Sequence, residues 1–274
     1  MNTLCQMPER SVRLLSRRFV EKPWGQSRLP STFGSPSDKQ IGEIWFDDDV
    51  DELPLLIKWL FTSEKLSIQV HPDGSMAQRL HQSCGKDEWW YIVDAEPGAR
   101  LGIGPKTECT SAAIRKAVSD GSIVDLVDWV EARPGDYFFV PAGTIHSIGG
   151  GISLVEIQQS CDVTYRLFDF GRPRELDVEM ALEAANFQPY DRKLQGKVDA
   201  GLACQTLSDS EHFAIHLVQG DHTMTLSNFT WIAPVRGSIA LDGVAAPTGH
   251  CVYGVPGQEL QTPENAQVLL AVAK

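Results

Sequence analysis

The sequence predicts a mainly β protein built from antiparallel sheets, and three observations carry that expectation. Between Ile41 and about Val178 short apolar or alternating runs recur, IGEIWF, LPLLIKWL, KLSIQV, EWWYIVD, DYFFVP and ISLVEIQQ, punctuated by glycine and proline. Such spacing is that of a sandwich or barrel. Strand-like runs resume later in FAIHLV, HTMTLS, FTWIAPVRGSIALDG and CVYGVPG. Helical signals, finally, are few and short.

Taken in order, the first 25 residues, MNTLCQMPERSVRLLSRRFVEKPWG, are arginine-rich but lack the apolar core and small-residue cleavage site of a secretory signal, so a cytoplasmic location is expected. In LSIQVHPDG an extended chain puts Ser67, Gln69 and His71 on one face and Ile68 and Val70 on the other. That polar face is either solvent-exposed or part of a site. In TSAAIRKAVSDG, Thr110 can cap a helix, Ile114, Ala117 and Val118 form its apolar stripe, and Gly121 can end it. A second short helix is expected in SIVDLVDWV, which makes a helical insert of about 110–129. A third, from Glu175 to Ala185, would cover an edge or end of the sheet. The polar stretch NFQPYDRKLQGKVDA then reads as a linker. Two domains follow: 1–185, and a β domain over 186–274 whose turns resemble the first only in style.

Composition narrows the function. A chain of 274 residues can bury a large core, and no apolar run approaches the roughly 18–20 residues that span a bilayer, so no membrane partner is expected. A net charge of −12 argues against a nucleic-acid partner, because phosphate neutralisation needs a basic surface. An anionic small substrate fits only if positive charge is local. Six widely spread cysteines (Cys5, Cys84, Cys109, Cys161, Cys204, Cys251) without a C-x-x-C read as reduced thiols. His212 and His216 have a helix-like metal spacing, but FAIHLV reads as strand, which makes them surface or packing residues.

A metal held in a β-barrel needs ligands from several strands, converging because alternate side chains point inward. Gln69, His71, Glu88 at the head of EWWYIVD and His146 in GDYFFVPAGTIH are the candidates. Two imidazoles, a carboxylate and an amide oxygen suit zinc, with manganese, iron or cobalt as alternatives. The pattern G-x5-P-x-G-x2-H over Gly135–His146 resembles the second motif of the cupin barrels. In place of that superfamily's usual first motif, H-x-H, the chain has Gln69-x-His71.

The segments LSIQVHPD, GKDEWWYIVDAEPGA, RPGDYFFVPAGTIHSIGGG and LVEIQQSCDVTYRLFDFGRPREL, with KPWG, IGEIWF and LLIKWL before them, closely resemble the compact bacterial form of the type I mannose-6-phosphate isomerases. The resemblance implies two cupin (jelly-roll) barrels, with the short helical insert in the first. It also implies one zinc per chain on Gln69, His71, Glu88 and His146, and interconversion of mannose 6-phosphate and fructose 6-phosphate through an enediol. It assigns Ser67 and Lys58 to the substrate-facing site, Lys86 and Arg166 as active-site cations that serve binding and catalysis, and Glu156 and Asp162 as acidic residues of the same pocket. Glu156, Asp162, Lys86 or a metal-bound water is then the proton carrier, while Arg166 would stabilise the enediolate. The partner is a phosphosugar, and the chain is expected as a monomer or homodimer.

Spacing agrees with these implications. Lys86 shares strand parity with Glu88, as Ser67 does with Gln69 and His71, while Lys58, Lys86 and Arg166 could supply the local positive field that a phosphate dianion needs. Three simpler readings stand beside them. Lys58 could snorkel to the surface, Asp162 could orient Arg166 instead of moving protons, and only one of Trp89 and Trp90 can face a pocket. The chain departs from the usual pattern at Gly74 and in SCDVTYR, which leaves an isomerase of a related sugar as one alternative. A non-catalytic sugar-phosphate-binding cupin and an iron-dependent oxygenase are two others.

Overall fold

The computed structural model describes residues 11–34, 39–48, 51–80 and 84–274; Cys5 and the rest of the first ten residues of the arginine-rich leader lie outside them. The chain divides into one compact unit spanning Ser16–Asp199 and a second that joins the described residues before Ser16 to Ala200–Lys274. The expected boundary at 185/186 therefore falls fourteen residues too early. Strand Gln195–Lys197 pairs with Asp136–Val140 and keeps the polar stretch in the first unit.

Among the described residues the first unit holds two antiparallel sheets. One runs, in spatial order, Gln195–Lys197, Asp136–Val140, Glu88–Ala95, Ile152–Gln159, Leu55–Phe61, Ile41–Asp47 and Ser16–Gln26. The other runs Tyr165–Phe168, Ile68–Val70, His146–Ile148, Arg100–Pro105 and Val127–Glu131. Leu60, Trp90, Ile92, Phe138 and Leu154 of the first sheet share one core with Leu101, Ile103 and Ile148 of the second. Strand Ser16–Gln26 was not anticipated. It is an edge strand of SRRFVEKPWGQ with mostly half-buried or exposed side chains, so it carries no apolar run to betray it.

Helix Ser111–Asp120 forms as the sequence predicts, with the Thr110 hydroxyl accepting from the Ala113 amide at 3.2 Å and Gly121 ending it at φ 81°. The second helix covers only Ile123–Leu126. The rest of SIVDLVDWV is strand Val127–Glu131, drawn into the ladder beside Arg100–Pro105. The third is shorter than expected, Val178–Ala184. It covers the edge of the five-stranded sheet at strand Tyr165–Phe168, where Ala181 and Leu182 join Ile68, Val70, Ile114, Ile123, Tyr165 and Leu167 in one cluster.

The second unit is also β, with a sheet ordered Arg13–Leu14, Val252–Gly254, Thr230–Arg236, Gln267–Ala273, Phe213–Gln219, Cys204–Asp209, and a four-stranded sheet built on Ser238–Leu241. Val218, Ile232, Leu241, Val252, Leu260 and Leu270 form its core. His216 lies on a strand with its Nδ1 3.0 Å from Thr206 Oγ1, so its spacing from His212 has no helical meaning. The described cysteines are free thiols, and no helix among the described residues is long and apolar enough to cross a membrane.

Candidate active site

Strand register assembles the site. Across the five-stranded sheet Gln69 stands between His146 and Arg166, as the direct cross-strand partner of both. Across the seven-stranded sheet a row of partners reads Phe138, Trp90, Glu156, Lys58, Trp45, and the neighbouring row pairs Glu88 with Gln158. Because a strand has period two, Glu88 and Trp90 point the same way, as do Glu156 and Gln158. Gln69 and Arg166 of the five-stranded sheet and Glu88, Trp90, Glu156 and Lys58 of the seven-stranded sheet thus line one cavity.

Three loops tie the motif segments together. The Lys86 amide donates to the Pro72 carbonyl at 3.0 Å, the Gly143 amide to the His71 carbonyl at 2.9 Å, and the Ala142 amide to Asp87 Oδ1 at 2.8 Å. Gly85 is required by this packing, since a Cβ there would lie 2.6 Å from the Gly74 nitrogen. Asp73 caps helix Gly74–Arg79 by accepting from the Met76 amide at 2.7 Å. The HPDG segment is thus both a strand end and a helix start.

At the centre, one ligand-type atom from each of His71, Glu88 and His146 lies within 4.8 Å of the others, and all three residues are buried. His71 Nδ1 is 2.9 Å from the Val163 carbonyl and His146 Nδ1 2.8 Å from that of Thr144. A carbonyl only accepts, so each Nδ1 carries the proton and each Nε2 of a neutral ring is a lone pair. Both rings are neutral. Burial pushes His146 down to about 3, with the nearby His71 acting in the same direction, and burial with the Lys86 charge lowers His71. Burial alone would raise Glu88, but the Lys86 ammonium, 3.0 Å from Oε1, is the strongest influence holding it well below the usual carboxylate range.

His71 Nε2 and Glu88 Oε1 consequently face each other at 3.1 Å as two electron-pair donors, with the Lys86 ammonium 3.5 Å from the first and 3.0 Å from the second. A bound cation satisfies that arrangement, and the donor set fits a divalent metal held by nitrogen and oxygen. Gln69 adjoins the cluster with its Nε2 3.2 Å from His146 Nε2, while Ser67 Oγ donates to its Oε1 at 2.9 Å.

The cluster borders a cavity of about 200 Å³ lined by Lys58, Ser67, Gln69, Lys86, Glu88, Glu156, Asp162 and Arg166. Lys58 is 3% exposed, which excludes the surface reading; it meets Glu156 Oε1 at 3.1 Å and donates to Gln158 Oε1 at 2.5 Å. Trp90 lines the cavity, and its indole N–H lies 3.2 Å from Glu88 Oε2 and 3.1 Å from Glu156 Oε2. Trp89, on the opposite face, stacks with Tyr91 and Tyr137. Asp162 is exposed, and among the described residues no hydrogen bond joins it to Arg166, whose Nε is buried without a partner.

The known proteins most informative here agree with one another. The sequence model of phosphomannose isomerase type I, catalytic domain, matches residues 32–98. A mannose-6-phosphate isomerase of Streptococcus mutans is 36% identical over 229 residues, which is 66% of this chain and 72% of that protein. This chain belongs to the mannose-6-phosphate isomerase family. A second member, from Bacillus subtilis, is 38% identical over 48% of this chain and 44% of its own length. The crystal structure of a mannose 6-phosphate isomerase from Bacillus subtilis superposes with a TM-score of 0.81 at 24% identity, covering 95% of this chain and 99% of that one.

Sequence reasoning passed over Lys22, Trp24, Glu43, Thr164 and Arg174, which also line the cavity of this mannose-6-phosphate isomerase family member. Lys22 Nζ lies 3.3 Å from Glu43 Oε2, which also accepts from the Trp45 indole at 2.6 Å. The missed signal is parity: Lys22 and Trp24 alternate in KPWG as Gln69 and His71 do in LSIQVH. Five cations and four carboxylates line the cavity, so it is locally positive in a chain of net charge −12.

Proposed function

We propose that the chain is a metal-dependent isomerase that interconverts D-mannose 6-phosphate and D-fructose 6-phosphate by proton transfer through an enediol. The observation that carries this reading is the meeting of two neutral imidazoles and a carboxylate, their ligand-type atoms within 4.8 Å of one another, with a cation-rich cavity of sugar size. His71 and His146 through Nε2, Glu88 through its carboxylate and Gln69 through its amide oxygen would hold one zinc ion. When bound, the ion polarises the oxygens that exchange carbonyl and hydroxyl roles.

The chain's own residues do the rest. Isomerisation moves a proton between C2 and C1 and builds negative charge on oxygen. Arg166, beside Gln69 in the sheet, stabilises that charge as a permanent cation. Glu156 is the proton carrier: burial and the Glu88 charge hold its carboxyl above the ordinary range against the pull of Lys58, which makes it a stronger base. Lys58 keeps it ionised, and the Trp90 indole fixes its orientation. Lys86 and Ser67 set the cavity-facing atoms of Glu88 and Gln69, and Asp162 lies at the exposed rim. A cytoplasmic monomer or homodimer, and a second cupin barrel in the C-terminal unit, complete the proposal.

The test is release of fructose 6-phosphate from mannose 6-phosphate by metal-loaded protein in a coupled assay, abolished by chelator and restored by zinc. Metal and phosphosugar binding without ketose formation would replace the isomerase with a non-catalytic binder.

A further inference from the structure

The segment that follows the last strand of the five-stranded sheet, Asp169-Phe170-Gly171-Arg172-Pro173-Arg174, is built around one carboxylate. The Asp169 side chain is 2% exposed. Its Oδ2 accepts from Arg174 Nε at 2.6 Å and its Oδ1 from Arg174 Nη2 at 2.6 Å, the side-on fork that fixes a guanidinium in plane. Oδ1 also accepts from Arg172 Nε at 3.1 Å and Nη2 at 2.8 Å, and Arg172 Nη2 donates to the Lys65 carbonyl at 2.7 Å. The backbone bends to allow this. The Arg172 amide donates to the Asp169 carbonyl at 3.1 Å around Phe170 at φ 53° and Gly171 at φ 83°, the two left-handed positions of a type I′ turn. Phenylalanine tolerates its position because its ring packs edge-on against Phe168, with Arg172 and Lys65 beside its face.

The two arginines differ in one respect: Arg174 lines the active-site cavity and Arg172 does not. Arg174 also differs from the cavity's lysines. Lys22, Lys58 and Lys86 each face a carboxylate that itself lines the cavity, whereas the counter-ion of Arg174 is Asp169, outside that lining. The fork uses Nε and Nη2, so among the described residues Nη1 has no hydrogen-bond partner. A guanidinium held from behind with a free edge is a preorganised receptor for an anion. Arg166, the other arginine on the cavity wall, sits beside Gln69 and already has the proposed role at the reacting oxygens.

We infer that Asp169 is a positioning residue that seats Arg174 as the cation for the anionic end of the substrate. This rests on the isomerase reading above, and the phosphate group of the sugar is the anion it names.

The test sets Asp169→Asn, Arg174→Ala and Arg172→Ala beside the wild type, with kcat and KM for mannose 6-phosphate, the melting temperature, and the thermal shift produced by inorganic phosphate. Asp169→Asn and Arg174→Ala raise KM at least tenfold, change kcat by less than about threefold and weaken the phosphate-induced shift. Arg172→Ala, which breaks a bond to the same carboxylate, lowers the melting temperature but keeps KM within about twofold. The double variant Asp169→Asn/Arg174→Ala has the KM of Arg174→Ala alone. If Asp169→Asn behaves like Arg172→Ala, the inference is overturned. Should Asp169→Asn fail to fold, Arg174→Lys in the intact background decides: lysine cannot make the fork, and an unchanged KM overturns the inference. If the wild type itself makes no ketose, the isomerase reading falls, while the phosphate-induced shift still tests the seating of Arg174.

Discussion

Replacing Lys58 with methionine isolates the buried charge balance on which the cavity depends. The ammonium is 3.1 Å from Glu156 Oε1 and 4.3 Å from the Trp45 ring, and both charged side chains are nearly inaccessible to water. Two unit charges at this separation attract by about 5 kcal/mol at an effective dielectric of about 20. Removing one member of a buried pair costs about 3–5 kcal/mol, because the other charge stays behind unpaired. Methionine keeps the aliphatic volume, so the expected loss near pH 8 is of that size. The pH dependence follows from Glu156, whose carboxyl burial and Glu88 already raise and which loses the lowering influence of Lys58. A group with a raised folded-state pKa contributes stability below its unfolded value and loses it as pH rises through the folded value. Lys58→Met is therefore closest to wild type at about pH 5 and furthest from it at about pH 8. Urea unfolding of chelated protein at both values measures it. A loss below about 1 kcal/mol at the higher pH, or one that does not shrink at the lower, would refute the reasoning.

Other substitutions probe separate parts of the site. His146→Ala loses bound metal and turnover together, read by metal analysis and the coupled assay; a variant that retains stoichiometric metal removes His146 from the ligand set. Arg166→Ala keeps its metal but loses about 100-fold or more in kcat, the scale of one charge-stabilising donor; full activity would remove it from the mechanism. Gly25→Ala places a Cβ 2.4 Å from the Gly42 nitrogen and the Ile41 carbonyl carbon, a backbone clash that overpacks strand Ser16–Gln26 against its neighbour. It should cost about 1–3 kcal/mol and lower the melting temperature by several degrees, and an unchanged melting temperature contradicts the contact.

Most of the site was legible because strand parity survives in one dimension. Ser67, Gln69 and His71 alternate in LSIQVH, and Lys86 and Glu88 in GKDE, so each pair's shared face is written locally. Lys58 in LLIKWL and Glu156 in LVEIQQ are placed in the site by the family resemblance and not by parity, which by itself leaves Lys58 free to snorkel to the surface. Lys22 and Trp24 were not singled out because strand Ser16–Gln26 is half-exposed, and its charged sequence hides its pairing with Ile41–Asp47. Arg174 escaped because a turn, not a strand, carries it to the cavity. In SIVDLVDWV the helix is shorter than the spacing predicts, because a half-buried edge strand and an amphipathic helix share apolar spacing over so few residues.

By itself the sequence determined the β class, the capped helix at Ser111–Asp120 and the candidate ligands, since propensity, alternation and capping act between near neighbours along the chain. Tertiary structure decided what those ligands are to one another. Only register could place Gln69 between His146 and Arg166, and only packing of the two sheets could bring Glu88 within 3.1 Å of His71. Protonation was settled there too. Burial, with bonds from Nδ1 to the carbonyls of Val163 and Thr144, leaves two imidazole lone pairs facing a carboxylate, and no local stretch of sequence encodes that conjunction.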